Sequence, residues 1–123
     1  MEITLTTGGG KKIPLKSSAA FLYIYKNQFH EDPFKLLKQV TADYDPSNIF
    51  VPLKNLDAVQ IYNITWALAK CANHDLPDPM EFYLQNEDFK PFDHINEIMN
   101  IYLTSFSSNV DVEETEAEED EKK

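Results

Sequence analysis

The sequence contains no arginine: all 11 of its basic residues are lysines, against 21 acidic residues, and the net charge is −10. Arginine makes the bidentate hydrogen bonds by which proteins bind phosphates and recognise guanine edges. The negative electrostatic field of this chain also repels polyanions such as nucleic acids. Direct binding to nucleic acid is therefore not expected. The single cysteine, Cys71, excludes an internal disulfide, and its position in an apolar helical pattern is typical of a reducing compartment.

Long apolar runs are also missing. No segment approaches the ~18 uninterrupted apolar residues that a transmembrane helix needs. The N-terminus lacks the basic stretch followed by an apolar core that marks a secretory signal. We therefore expect a cytoplasmic protein with no membrane partner, and its 123 residues fit one domain.

The acidic residues are concentrated at the C-terminus. Residues 111–123 carry eight carboxylates and two lysines, whereas residues 1–54 are slightly basic. A segment with so few apolar groups cannot offset its ordering entropy and repels itself. The sequence predicts one folded domain over residues 1–109 and a disordered acidic tail over residues 110–123. The tail either solubilises the protein or contacts a partner, with Glu113, Glu114 and Glu116 as the candidate contact residues.

The first 16 residues predict a β-hairpin. Residues 2–7 and 12–16 alternate polar and apolar side chains, and all three glycines of the chain lie between them. Pro14 has no amide hydrogen to donate, so we expect its strand to lie at a sheet edge.

Helical signals fill most of the remaining domain. Ser17 and Ser18 can cap a helix over residues 19–29, although its aromatic run is also compatible with a buried strand. Asp32 and Pro33 begin a second helix that ends near Tyr44. We expect its buried face to comprise Phe34, Leu37 and Val40 or Thr41.

A turn at residues 45–48 and a short extended segment at residues 49–51 precede the longest predicted helix, residues 54–73. That helix is apolar on most of its circumference and should lie in the centre of the domain. Asp78 and Pro79 begin a short helix, with Glu81 placed to return the capping bond. A last amphipathic helix spans residues 91–106. The fold class is thus α+β and mainly helical, with an N-terminal β-hairpin followed by about five helices.

No constellation of residues indicates catalysis, a metal or a cofactor. The three histidines lack the one-face spacing of a zinc pair, and Cys71 lies where burial makes a thiol a poor nucleophile. Residues 8–12 lack the spacing of a phosphate-binding loop. The sequence predicts an interaction module without enzymatic activity, and a small enzyme of unrecognised type stays as a distant alternative.

Aromatic side chains are the best candidates for a recognition surface, because they carry most interface energy. The candidates are Tyr62, Trp66, Phe82 and Tyr83. Packing in the core is the alternative role for each of them.

The order of these features resembles the tail assembly chaperones of long-tailed phages and prophages of Gram-positive bacteria. The resemblance spans residues 1–108 and includes the Ile13-Pro14-Leu15-Lys16 strand, the Trp66-Ala67-Leu68-Ala69-Lys70 segment and the break at Leu76-Pro77-Asp78. One departure is Glu81-Phe82-Tyr83, where the family pattern has an acidic residue followed by tryptophan.

The resemblance implies a cytoplasmic protein that binds the tape measure protein, keeps it soluble and helps recruit tail tube protein during tail morphogenesis. It also implies a longer form of the chain, made by a frameshift near Lys122 and Lys123. Further partners that stay open are the tail tube protein and the longer form of the chain. Self-association is open as well.

The alternative function is an acidic decoy, such as a phage inhibitor that mimics DNA and binds a basic host protein. A duplex mimic needs carboxylates across its folded surface, however, and eight of the 21 acids lie in the predicted tail. The charge distribution therefore favours the chaperone.

Overall fold

A computed structural model describes residues 1–42 and 55–107 of the chain. The described elements are β1 (Glu2–Thr6), β2 (Lys12–Lys16), α1 (Ala20–Phe29), α2 (Pro33–Thr41), α3 (Ala58–Ala72), α4 (Pro79–Gln85), a 3-10 helix (Pro91–His94) and α5 (Ile95–Thr104). The predicted class, a mainly helical α+β domain that opens with a hairpin, is confirmed. The turn at residues 45–48, the segment 49–51 and the acidic tail, residues 110–123, lie outside the described residues.

The hairpin packs one apolar face against the helices. β1 and β2 are antiparallel, with Leu5 opposite Ile13 and Ile3 opposite Leu15. Because side chains alternate along a strand, Leu5, Ile13 and Leu15 share the inner face and are buried. Pro14 points away from that face, on a strand that is an edge of the two-stranded sheet, as predicted.

Helix α3 is the centre of the core, with β2 and α1 packed against it. It begins at Ala58 rather than near Lys54, because Asp57 and Gln60 form a reciprocal capping box in which each side chain binds the other's backbone N–H. Residues 64–69 are buried on every side of the helix. The prediction of a central helix is confirmed for this part, whereas its first two turns have one face exposed to solvent.

Helices α1 and α4 begin within one residue of their predicted starts, but their capping hydrogen bonds differ from the predicted ones. Ser18 Oγ accepts from Ala20 N at 3.0 Å, while Ser17 Oγ donates to the Met1 carbonyl and caps nothing. In α4 the Asp78 carboxylate accepts from Glu81 N, but the Glu81 carboxylate accepts from the Gln85 amide instead of returning the bond.

The buried face of α2 differs from the prediction. Pro33, Leu36 and Val40 are buried, whereas Phe34 is 60% exposed and lies under the Lys38 ammonium at 5.5 Å. Both sets have helical spacing, so periodicity alone does not decide between them. The helix also ends at Thr41, before the predicted end near Tyr44.

The segment predicted as one last helix has two parts. Residues 91–94 form a 3-10 helix that begins with Pro91, and the α-helix runs from Ile95 to Thr104. The three- and four-residue spacing predicts a stripe of Phe92, Ile95, Ile98 or Met99, Tyr102 and Phe106. Ile95, Ile98, Met99 and Tyr102 are buried, whereas Phe92 is 46% exposed and lies outside the buried stripe.

The glycine turn of the hairpin is tied to the loop after α4. The Gly9 N–H donates a hydrogen bond to the Asp88 carboxylate. This bond is the main reason that the pKa of Asp88 lies below its ordinary value, and a hydrogen bond from the Thr7 hydroxyl is the second. A Cβ at Gly9 would lie 2.5 Å from Asp88 Oδ2, whereas a Cβ at Gly8 would lie 3.8 Å from its nearest neighbour.

We therefore expect Gly9→Ala to lower the thermal midpoint, because Asp88 must move away and give up the Gly9 bond. Gly8→Ala is the matched control, since its added methyl makes only ordinary van der Waals contact. Thermal unfolding followed by circular dichroism measures both. Equal midpoints for the two variants would contradict the tie between the turn and Asp88.

Candidate functional site

An exposed apolar groove lies between the start of α3, helix α4 and the 3-10 helix. Its volume is about 410 Å³. The lining residues are Ala58, Val59, Tyr62, Asn63, Met80, Tyr83 and Phe92. Val59 is 65% exposed, Met80 72% and Phe92 46%. Large apolar side chains exposed together in one concave surface mark an interaction site more often than scattered ones do.

Helix α3 supplies one wall because its first turns are one-sided. The Asp57 cap fixes where the helix begins, and helical periodicity then places Ala58, Val59 and Tyr62 on one face. Ile61 and Ile64 lie on the opposite face and are buried. The same helix thus joins the core at one side and lines the groove at the other.

Helix α4 supplies the second wall, because its turn directs some of its side chains into the groove and others into the core. Asp78 caps the helix and Pro79 occupies its first turn. Met80 and Tyr83, three residues apart, line the groove, while Phe82 between them is buried in the core. The floor is completed by Phe92, whose neighbour Pro91 is buried.

Tyr62 and Tyr83 hold the two walls together. Their ring centroids are 5.0 Å apart, and Tyr83 Oη donates to the Tyr62 carbonyl at 2.7 Å. Burial raises the pKa of the Tyr83 hydroxyl well above its ordinary value, so the hydroxyl stays protonated and acts as a donor. The Phe92 ring lies 6.3 Å from Tyr62. The groove is therefore a preformed aromatic surface.

The structure divides the four aromatic residues predicted as contacts. Tyr62 and Tyr83 come together in the groove, whereas Trp66 and Phe82 are each only 2% exposed. Trp66 Nε1 donates to the Pro77 carbonyl at 2.9 Å, and its ring packs edge-on against Phe29. Core packing, the alternative role, is what Trp66 and Phe82 have here, because a buried ring has no surface to offer a partner. Glu113, Glu114 and Glu116 lie outside the described residues.

Five of the seven groove residues are not among the contacts that the sequence predicts: Ala58, Val59, Asn63, Met80 and Phe92. The apolar patterning of the predicted helices does not distinguish exposed positions such as Val59 and Met80 from core positions. One signal in the sequence could have indicated them. The segments of α3 and α4 contain more apolar residues than a single buried stripe can hold, so some of these residues must be exposed.

A second apolar surface lies on the other helix pair, α1 and α2. Leu22, Tyr23 and Phe34 are exposed there, next to Lys26, and Phe106 closes one end. It is smaller than the groove, with a volume of about 250 Å³.

The cysteine and the residue types that bind metals can be assessed within the described residues. Burial raises the pKa of the Cys71 thiol to about 11, so it is a poor nucleophile at neutral pH. Within residues 1–42 and 55–107, no three histidine, cysteine or acidic side chains gather as metal ligands do. Over the same residues, none of the helices combines the length and the apolar character that crossing a bilayer requires.

Comparison of the chain with protein-family models, with curated proteins and with solved structures gives no match.

Proposed function

We propose that this protein is a tail assembly chaperone that binds the tape measure protein in stoichiometric amounts and keeps it soluble. In this proposal the groove is the contact surface, and no residue is catalytic. The observation that carries the proposal is the exposure of Val59, Met80 and Phe92 around the contacting rings of Tyr62 and Tyr83. Covering such a surface with a partner's apolar side chains removes it from water and lowers the free energy of the complex.

An amphipathic helix is the partner conformation that the groove fits best. The groove walls are helices, and beyond their first turns the backbone groups are paired within each helix. An extended segment would find no row of free backbone groups there, as it would at a sheet edge. A helix pairs its own backbone and needs only a place for its apolar stripe. Tape measure proteins are long and helical, as the resemblance implies.

Met80 suits a surface that must accept many different sequences along one partner. Its side chain is unbranched and polarisable and adapts to irregular shapes. At 72% exposure it is more accessible than Val59 and Phe92, the other large apolar side chains exposed in the groove. Many copies, each bound with modest affinity, can then coat a long partner.

The groove argues against the acidic decoy as the main function. A duplex mimic would replace phosphates by carboxylates, whereas the lining of this groove contains no charged side chain. Binding through it should depend on apolar contacts and survive added salt.

We expect Met80→Glu to abolish solubilisation of a co-expressed tape measure fragment. A charge in the groove must be desolvated when an apolar stripe covers it, so binding should weaken at least tenfold. Stability should barely change, because Met80 is exposed. The measurements are the soluble fraction of the fragment on co-expression and the affinity of the purified pair.

Leu84→Glu is the matched control. Leu84 is on the same helix and is 56% exposed, but it does not line the groove. This variant should solubilise the fragment as the unmodified protein does. If Met80→Glu does so as well, the groove is not the contact surface. If the unmodified protein leaves the fragment insoluble, the chaperone proposal fails.

A further inference from the structure

Exposed carboxylates adjoin the lining residues of the groove in sequence, although none of them lines it. Among the described residues within two positions of a lining residue, four are acidic, one is a lysine and one is the half-buried histidine His94. The acidic residues are Asp57, Asp78, Glu81 and Asp93, and the lysine is Lys90. The four acidic residues and the lysine are exposed. We call these four carboxylates the acidic rim.

The acidic rim is close enough to act on whatever occupies the groove. Consecutive Cα atoms are 3.8 Å apart, so the backbone positions of Asp57, Glu81 and Asp93 lie within one Debye length at physiological salt, roughly 8 Å, of the lining residues that they adjoin. The apolar groove also limits access of water once it is covered, which strengthens the interaction of charges at its edge.

We infer that the groove selects an amphipathic helix whose apolar stripe is flanked by lysine or arginine. This inference rests on the proposed function, because it specifies the chemistry of the helix that the groove binds. The stripe covers Val59, Met80 and Phe92, and the flanking cations face the acidic rim. Opposite charges at the edge of an apolar interface fix the register of the partner and exclude partners of the wrong sign. A helix flanked by acidic residues is thereby rejected.

The test uses the full chain and three peptides with the same apolar stripe. Their flanking positions carry lysine, glutamine or glutamate. Affinities are measured by fluorescence anisotropy at low and at high salt. We expect the lysine peptide to bind at least tenfold more tightly than the glutamate peptide at low salt, with the glutamine peptide between them. The ratio should fall toward one in high salt, because the attraction is screened.

Two double variants locate the source of the preference. Glu81→Gln with Asp93→Asn removes two carboxylates of the acidic rim, and we expect the lysine-to-glutamate ratio to fall roughly threefold. Glu2→Gln with Asp75→Asn removes two exposed carboxylates elsewhere, one on β1 and one beyond the far end of α3. This control has the same net charge and should leave the ratio nearly unchanged. The uncharged flanks of the glutamine peptide should make its affinity equal in both variants.

The outcomes separate this inference from the proposed function. Equal affinity for the lysine and glutamate peptides overturns the inference. So does a ratio that falls equally in both double variants, because the attraction then comes from the net charge of the whole chain. The proposed function is tested by the glutamine peptide: if it fails to bind, or binds Met80→Glu as well as the unmodified chain, the groove does not bind helices.

Discussion

Replacing Trp66 by alanine is expected to lower the free energy of unfolding by about 3–5 kcal/mol. The indole is 2% exposed, packs edge-on against Phe29 and donates its N–H to the Pro77 carbonyl at 2.9 Å. Truncation leaves a cavity in the core beside the middle of α3 and leaves the Pro77 carbonyl without its hydrogen-bond donor. Domains of this size unfold with about 5–15 kcal/mol, so the loss is a large fraction of the total.

Two further variants separate the role of the ring from other effects. Trp66→Phe keeps most of the apolar volume but leaves the Pro77 carbonyl without its donor, and should cost about 1–3 kcal/mol. Val59→Ala, on the exposed face of the same helix, should change stability by less than about 0.5 kcal/mol.

Urea unfolding should be followed by far-ultraviolet circular dichroism, because Trp66 is the only tryptophan and its fluorescence is lost in both Trp66 variants. If Trp66→Ala lost less than about 1 kcal/mol, the indole would not be a core residue. An accompanying loss of partner binding with unchanged stability would instead assign Trp66 to the contact surface.

Local chemistry explains why the elements themselves could be predicted. The three consecutive glycines can only be a turn between two alternating strands, and Gly10 has a φ of 90° there. Asp-Pro pairs begin both α2 and α4, because the aspartate caps the helix and proline fits its first turn. These signals depend on a few adjacent residues, so the sequence carries them without reference to the rest of the fold.

The choice of buried face could not be predicted in the same way. Phe34 and Leu36 belong to different faces of α2, and both faces have apolar residues at helical spacing. Which face is buried depends on how α2 packs against α1, and the periodicity within α2 carries no information about that packing. The rule that aromatic residues prefer the core also failed for Phe34, whose ring is covered by a lysine rather than by the core.

The groove illustrates the same limit for a functional site. It combines residues from α3, α4 and the 3-10 helix, which are adjacent only after folding. Tyr62 and Tyr83 were predicted as contacts from composition alone, together with Trp66 and Phe82, which the fold buries. Phe82 and Tyr83 are adjacent in the sequence, yet the helical turn of about 100° per residue sends one ring into the core and the other into the groove.

Asn86 provides the second large expected effect, through charge rather than volume. It is 4% exposed, its Nδ2 donates to the Phe82 carbonyl at 2.8 Å, and its Oδ1 has no hydrogen-bond partner among the described residues. We expect Asn86→Asp to lower the free energy of unfolding by about 3 kcal/mol or more at pH 7. The introduced carboxylate loses the donor, faces the Phe82 carbonyl and must be desolvated.

The destabilisation should depend on pH with a defined sign. Burial disfavours the charged form, so the pKa of the introduced carboxyl is higher in the folded chain than its unfolded value of about 3.9. The folded state then binds more protons than the unfolded state above pH ~4, and stability relative to the unmodified protein falls as the pH rises from there. Below pH ~4 the carboxyl is protonated in both states and can donate to the Phe82 carbonyl as the amide does, so most of the difference should disappear.

Asn96→Asp is the control, because it makes the same change of charge at an exposed position in the first turn of α5. A carboxylate there interacts favourably with the helix dipole, so stability should stay level or rise by a few tenths of a kcal/mol. Urea unfolding of the two variants and the unmodified protein at pH 4 and pH 7 measures both effects. A cost for Asn86→Asp that is equal at the two pH values would show that it arises from lost packing and not from a buried charge.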